Sequence, residues 1–219
     1  LDFLRRLRAV MDEFPDMTSV GEVGESQRGI EVQAEYTAGN ELLHMCYGFD
    51  FLASAVPTGN SVAAVLETFQ AIAPESWACW AFSNHDVVRH PSRWDLGDAA
   101  VRAFAALLMS LRGSICLYQG EELGLTEAYV AFEDLQDPYG KEFWPEFKGR
   151  DGCRTPIPWV QDNAVGGFSE GRPWLPMAVE HLQKAVAVQD GTAESTLAFY
   201  RAMLAFRRAH PALVKGDLT

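Results

Sequence analysis

Trp77-Ala78-Cys79-Trp80-Ala81-Phe82 runs directly into Ser83-Asn84-His85-Asp86-Val87-Val88-Arg89-His90. The first part is apolar throughout, which predicts a strand buried on both faces. The second part brings a carboxamide, an imidazole, a carboxylate and a guanidinium close behind it. Polar groups at the carboxyl end of a buried parallel strand are where α/β folds assemble binding and catalytic sites. The same junction can also be a structural polar network, so the fold and the chemistry have to be read from the rest of the chain.

The segments on either side repeat the pattern. Thr18 to Val23 is a β-rich run ending in Gly21-Glu22-Val23-Gly24, and Leu42 to Phe51 is an apolar run interrupted by Gly48 and Asp50. Val62 to Ile72 has helical periodicity, with Ser61 in the place of a cap. Asp98 to Leu111 predicts an Ala/Leu-rich helix ended by Gly113. Ser114 to Tyr118 predicts a further strand, running into Gln119-Gly120-Glu121-Glu122. Thr196 to Ala209 predicts a helix with Leu197, Tyr200, Leu204 and Ala205 on its apolar face, followed by Pro211. Helix and strand alternating in this way predict βα units around a parallel sheet.

A polar residue closes each strand: Glu22, Asp50, Asp86 and Glu121. In a (β/α)8 TIM barrel all such ends lie on one face, so these groups would converge. A doubly wound sheet is the alternative, but no Gly-x-Gly-x-x-Gly pattern follows a strand. The visible strands amount to about half a barrel. Thr126 to about Gly191 has weak periodicity and is rich in Pro, Gly, Trp and charge, which marks a long functional loop after the last barrel strand.

Composition narrows the partners. The chain has 219 residues, 48% hydrophobic and 22% charged, as a folded globular protein does. A formal charge of −12 and pI near 4.8 argue against nucleic acid or an anionic membrane as partner. Cys46, Cys79, Cys116 and Cys153 are widely spaced without a Cys-x-x-Cys pair, which predicts buried thiols in a reducing, cytoplasmic compartment rather than disulfides or zinc. No cofactor and no metal site are expected. Leu1 to Asp12 reads as an amphipathic helix, with Leu1, Leu4, Leu7, Val10 and Met11 at helical spacing around arginines. It lacks the apolar core of a signal peptide. The chain thus opens inside or at the edge of a helix, as a piece of something longer would.

Four segments in order carry a family resemblance. Gly21-Glu22-Val23, Phe82-Ser83-Asn84-His85-Asp86 and Tyr118-Gln119-Gly120-Glu121-Glu122-Leu123-Gly124 resemble successive signatures of the α-amylase superfamily of glycoside hydrolases. Gly149-Arg150-Asp151-Gly152-Cys153-Arg154-Thr155-Pro156-Ile157-Pro158-Trp159 is similar to the motif of its α-glucosidase branch, which includes maltases and oligo-1,6-glucosidases. The resemblance implies a retaining glycosidase acting on a small α-glucoside or oligosaccharide. Such chemistry needs an acid that protonates the departing oxygen and carboxylates that support an oxocarbenium-like transition state.

On that resemblance Glu22 is the general acid/base, expected to be partly buried and flanked by Gly21 and Gly24 so that a sugar can approach. Asp86 is the transition-state stabiliser, and His85 a ligand to hydroxyls of the same sugar. Arg150 binds the terminal glucose and closes the pocket behind it, which would make the enzyme exo-acting. Arg89 and Asn84 are expected to orient Asp86, and Arg154 to be structural. Each residue also has a plainer reading: Glu22 as a solvated strand end, His85, Asp86 and Arg89 as a structural cluster, Arg150 as a partner of Asp151 or Glu146.

The nucleophilic aspartate of the family lies in a Gly-Phe-Arg-x-Asp type motif, which these residues do not contain. The resemblance therefore implies that residues 1–209 are the C-terminal half of a catalytic barrel, with the long loop at about 126–191, and that 210–219 begin a C-terminal β-domain. The missing N-terminal half of the barrel is the implied protein partner, and this fragment alone is expected to be inactive. Glucosyl transfer or isomerisation is the alternative chemistry, and a non-catalytic scaffold or transporter subunit the alternative role.

Overall fold

A computed structural model describes residues 1–25, 27–52, 55–72 and 74–216. In chain order its elements are α1 (Asp2–Met11), β1 (Val20–Val23), α2 (Gly29–Thr37), β2 (Met45–Gly48), α3 (Gly59–Ile72), β3 (Cys79–Trp80), α4 (His90–Arg93), α5 (Asp98–Ser110), β4 (Ser114–Ile115), α6 (Pro138–Glu142), α7 (Val186–Gln189), α8 (Thr196–Ala209) and α9 (Ala212–Lys215). Short 3₁₀ turns punctuate the stretch between β4 and α7. The chain divides into two compact units. The first holds Leu1–Ala81, Ser110–Cys116 and His210–Thr219, and the second holds Phe82–Met109 and Leu117–Ala209.

All the strands belong to the first unit. β1 pairs in parallel with β2, with Glu22 opposite Tyr47, and β3 pairs in parallel with β4, with Trp80 opposite Ile115. A single parallel bridge from Cys46 to Ala78 links the two pairs. The order therefore runs β1-β2-β3-β4 in one direction, without the reversal that defines a doubly wound sheet. Among the described residues these strands form two unclosed sheets, the arrangement of part of a (β/α) barrel.

The unit is held by apolar packing around the strands. Val23, Leu43 and Cys46 form one buried cluster, against which Leu4, Val32 and Tyr36 pack. Phe51 and Phe69 each bring a ring to 5.6 Å from Trp80, whose indole Nε1 donates to Arg112 O at 2.7 Å. α3 buries Val62, Leu66 and Phe69, a one-face stripe. Its cap is Thr58 rather than Ser61. Ser61 N donates to Thr58 Oγ1 (3.2 Å) and Thr58 N donates to Ser61 Oγ (2.9 Å), a reciprocal pair that starts the helix before Ser61. α1 buries no residue, and its Leu4 reaches the Val23, Leu43 and Cys46 cluster half-buried.

The observed strands are shorter than the apolar runs that predicted them. In the run Trp77–Phe82 only Cys79 and Trp80 form a strand, because pairing stops where the backbone finds other partners. The carbonyl of Phe82 is taken by Arg93 Nη2 at 2.6 Å instead of by a neighbouring strand. At the other end of the unit, Ala212–Lys215 form a helical turn, and Gly113 N donates to Val214 O at 3.0 Å. Residues 217–219 of the 210–219 stretch lie outside the described residues.

The second unit is built on α5, α8 and the long stretch between β4 and α7. α5 buries Val101, Ala105, Leu108 and Met109, again at helical spacing. Leu123, Leu125, Ile157 and Leu197 form one cluster, and Val130, Leu135 and Leu175 another. Phe82, Trp94 and Phe104 meet edge-on or tilted at 5.0 to 6.2 Å between ring centres. Arg207, buried on α8, donates to Met109 O at 2.7 Å and satisfies a carbonyl near the end of α5.

Candidate active site

In the second unit the segment after Phe82 is folded by its own side chains. Asn84 Oδ1 accepts from Asp86 N at 2.9 Å, an Asx turn that reverses the chain and turns the Asp86 carboxylate outward. Ser83 Oγ accepts from His90 N at 2.9 Å and lies 3.0 Å from His90 Nδ1. Ser83, Asn84 and His90 are buried, whereas His85 is exposed and Asp86 retains 29% of its side-chain accessibility. The same few residues thus divide into an inner framework and an outer polar pair.

Two guanidinium groups meet on one oxygen of that pair. Asp86 Oδ1 accepts from Arg150 Nη1 at 2.8 Å and from Arg154 Nη2 at 2.9 Å. Its second oxygen, Oδ2, lies 3.6 Å from His85 Nε2. Arg154 also donates from Nε to His85 O at 2.7 Å, so one arginine ties the backbone of His85 to the carboxylate of Asp86. His85, Asp86 and Arg150, three of the residues singled out from the sequence, are brought together here.

Arg150 is itself held from behind. Its Nε and Nη2 donate to Asp137 Oδ2 and Oδ1 at 2.9 and 3.0 Å, and its backbone N donates to Asp137 Oδ2 at 2.8 Å. Asp137 is buried, and the arginine fork holds its carboxyl down at about 2. The same carboxylate raises the Arg150 guanidinium further above its ordinary value. The backbone N–H groups of Gln136 and Asp137 donate to Asp151 Oδ2 at 2.6 and 2.8 Å. The carboxylates that pair with Arg150 are thus Asp86 and Asp137, not Asp151 or Glu146.

Close backbone approach makes this possible. Gly149 has φ +81°, and a Cβ there would stand 2.8 Å from Gly140 Cα and 3.1 Å from Asp137 Oδ2. Only a residue without a side chain lets the chain before Arg150 press against the start of α6 in that conformation.

Arg89 does not touch Asp86. Fully buried, it donates to Gln119 O at 2.7 Å and Cys153 O at 2.8 Å, and lies 4.9 Å from the Tyr118 ring centre. It binds three loops together, whereas Asn84 supports Asp86 as expected. Glu121 and His90 lie beneath, each 1% exposed and 3.8 Å apart. Burial pushes the Glu121 carboxyl up to about 8 and, with Arg93 and Arg89 adding repulsion, the His90 imidazole down to about 3. The two are therefore both neutral near pH 7, a structural pair rather than an ion pair.

Glu22 belongs to the first unit, on β1. It is exposed, where partial burial was expected. The need for Gly21 is one of packing: a Cβ there would come within 2.6 Å of Cys46 Sγ and 2.7 Å of Leu43 Cδ1. None of the cysteines is in a disulfide, three are buried and Cys116 is exposed, and burial raises the Cys46 and Cys79 thiols to about 11 and 12. Among the described residues no helix is long and apolar enough to cross a membrane.

Asp137 is the site residue that sequence reasoning missed, and Arg154, expected to be structural, supports the pair through His85 O and Asp86 Oδ1. For Asp137 the available signal was Asp-Pro, which marks a helix start and nothing more. For Arg154 the spacing from Arg150 placed both in one motif without showing that they reach the same carboxylate.

Parallel βα units in the first compact unit, and in the second a loop-borne carboxylate clamped by two arginines, define an α/β protein with a candidate polar site. The chain belongs to the alpha-amylase family: the alpha amylase catalytic domain matches residues 1–216. It falls in the α-glucosidase branch, being 60% identical over its whole length to a probable alpha-glucosidase of Rhizobium meliloti. Maltase A1 of Drosophila melanogaster is 29% identical over 80% of the chain and 31% of that protein. A solved alpha-glucosyl transfer enzyme, XgtA, superposes with a TM-score of 0.92 over 99% of the chain at 51% identity. The chain spans about two fifths of its longer relatives, 40% of the Rhizobium protein and 40% of the transfer enzyme.

Proposed function

We propose that this chain is the C-terminal half of the catalytic barrel of a retaining α-glucosidase, which removes terminal α-linked glucose from short oligosaccharides. The observation that carries this reading is the double arginine clamp on Asp86 Oδ1, with His85 beside Oδ2. With one oxygen fixed by two charged donors, the other is presented to a ligand together with an imidazole. A carboxylate and an imidazole side by side match vicinal sugar hydroxyls, one accepting and the other able to donate.

In this reading Asp86 stabilises the transition state through hydrogen bonds that strengthen as the ring distorts toward an oxocarbenium ion. His85 holds a hydroxyl of the same sugar. Arg150 supplies its remaining N–H groups to the terminal glucose and blocks extension beyond it. Glu22 delivers the proton to the departing oxygen and then takes one from water. The nucleophilic aspartate is supplied by a preceding segment, which the 40% coverage of the longer relatives leaves room for.

In the longer protein, Glu22→Gln is expected to abolish turnover of an aryl α-glucoside while leaving the unfolding midpoint unchanged. Retained turnover would remove Glu22 from the mechanism. A second reading is transfer of glucose to an acceptor other than water, which 51% identity to an alpha-glucosyl transfer enzyme supports. Product analysis with maltotriose separates the two, since hydrolysis releases free glucose and transfer gives longer or rearranged saccharides.

A further inference from the structure

We propose that Asp137 is the positioning residue of this site, setting the guanidinium of Arg150 and through it the carboxylate of Asp86. The proposal rests on the sugar-binding reading of Arg150 given above.

An arginine on a loop is a flexible side chain, and its value as a ligand depends on how much of that freedom is removed before substrate arrives. Asp137 removes it on both sides of the guanidinium plane's inner edge, taking Nε and Nη2, and it also fixes the Arg150 backbone through N. Of the five guanidinium N–H donors, two go to Asp137 and one to Asp86. That leaves two, one on each terminal nitrogen, directed by the fork rather than by rotation of the side chain. The Tyr139 ring centre lies 5.4 Å from Arg150 Cζ and covers one face of the group.

Asp137 is in turn locked from below. Its side chain is fully buried, its own N–H is held by Asp151, and it caps α6 by accepting from Tyr139 N at 3.3 Å. A buried carboxylate with this many donors cannot swing away to release the arginine. The resulting order is Asp151 under Asp137, Asp137 behind Arg150, and Arg150 against Asp86. Each link is a charged hydrogen bond or ion pair, the kind that fixes geometry as well as adding attraction.

The plainer role for Asp137 is as the cap of α6, and the two roles separate experimentally. Serine caps a helix as aspartate does, but it cannot receive an arginine fork. In the longer protein, Asp137→Ser is expected to lower kcat/KM for an aryl α-glucoside roughly 10- to 100-fold, with KM rising. In an Arg150→Ala background the same substitution should cost less than about twofold, because its effect passes through Arg150. Arg150→Lys keeps the charge but not the fork, and should reproduce the loss seen with Asp137→Ser and be insensitive to adding it.

Equal losses in the two backgrounds would overturn the proposal, as would an unchanged kcat/KM in Asp137→Ser. Should Asp137→Ser not fold, Arg150→Lys still decides: wild-type kcat/KM in that variant means the fork sets nothing. A different result, full activity in Arg150→Ala, would remove Arg150 from sugar binding and so overturn the reading beneath the proposal.

Discussion

Two arginines donate to the same oxygen of Asp86, at 2.8 and 2.9 Å, and this crowding decides what the rest of the carboxylate can do. A carboxylate held by both oxygens is a structural ion pair; one held at Oδ1 alone keeps Oδ2 available beside His85. Arg150 and Arg154 differ in what else they hold. Arg150 is fastened to the buried Asp137, and Arg154 to the carbonyl of His85. Removing Arg154 therefore loosens both members of the His85–Asp86 pair while leaving the Asp137–Arg150 fork in place. Arg154→Ala is expected to lower kcat about 10-fold or more with a smaller change in KM, since the lost support acts mainly on Asp86, the proposed stabiliser of the transition state. Steady-state kinetics on an aryl α-glucoside checks this, and a change confined to KM would place Arg154 outside that support.

At the scale of elements, α8 shows what a sequence makes legible. The bounds Thr196–Ala209 follow from the periodicity, with Leu197 and Tyr200 burying one face and Pro211 close after its end, whereas Leu204 and Ala205 of the expected apolar face are exposed. β3 shows what it leaves ambiguous. Every residue of Trp77–Phe82 is apolar, so periodicity could not say that Phe82 leaves the strand to serve Arg93. The stretch from Thr126 to Gly191 was least legible. Its order comes from buried carboxylates receiving backbone N–H groups and from 3₁₀ turns, neither of which leaves an apolar stripe in the sequence. The His85, Asp86 and Arg150 cluster was readable because a family resemblance pointed to each residue, whereas Asp137 had only a helix-start signal. The role of Gly149 in this stretch gives a direct check. Gly149→Ala puts a Cβ into the Gly140 backbone at a positive φ, and is expected to destabilise the protein by about 1–3 kcal/mol. It should also reduce activity, because the displaced backbone carries Arg150. Urea unfolding together with kinetics would show both effects, and a fully stable variant would mean that the contact relaxes without cost.

Across the whole molecule, buried titratable groups predict how stability depends on pH. Glu121 is raised by burial from 4.5 to about 8, so the native state keeps a proton that the unfolded chain releases above 4.5. Stability from this group is therefore present below about 4.5 and lost as pH rises toward 8. Burial also raises the carboxyl of Glu127, which acts in the same direction. His90 and His181 work from the other side. Burial lowers them from 6.5 to about 3 and about 4, so the unfolded chain takes up protons that the native state refuses. Their contribution is present above 6.5 and is lost as pH falls toward 3 to 4. Between 4.5 and 6.5 the two trends oppose each other, but from 6.5 to 8 the Glu121 trend acts without opposition from the histidines. Each unit of pKa difference is worth about 1.4 kcal/mol, so the loss from Glu121 over that window is about 2 kcal/mol. Glu121→Gln keeps the size of the side chain and removes its titration. In the longer protein, the unfolding midpoint of the wild type is expected to fall between pH 6.5 and 8, and that of Glu121→Gln to fall much less. The slopes decide the matter, since the amide can shift both curves by a constant. Parallel slopes for the two proteins would mean that Glu121 is already ionised in the folded state, and that His90 beside it is then held by a charge rather than by a neutral partner.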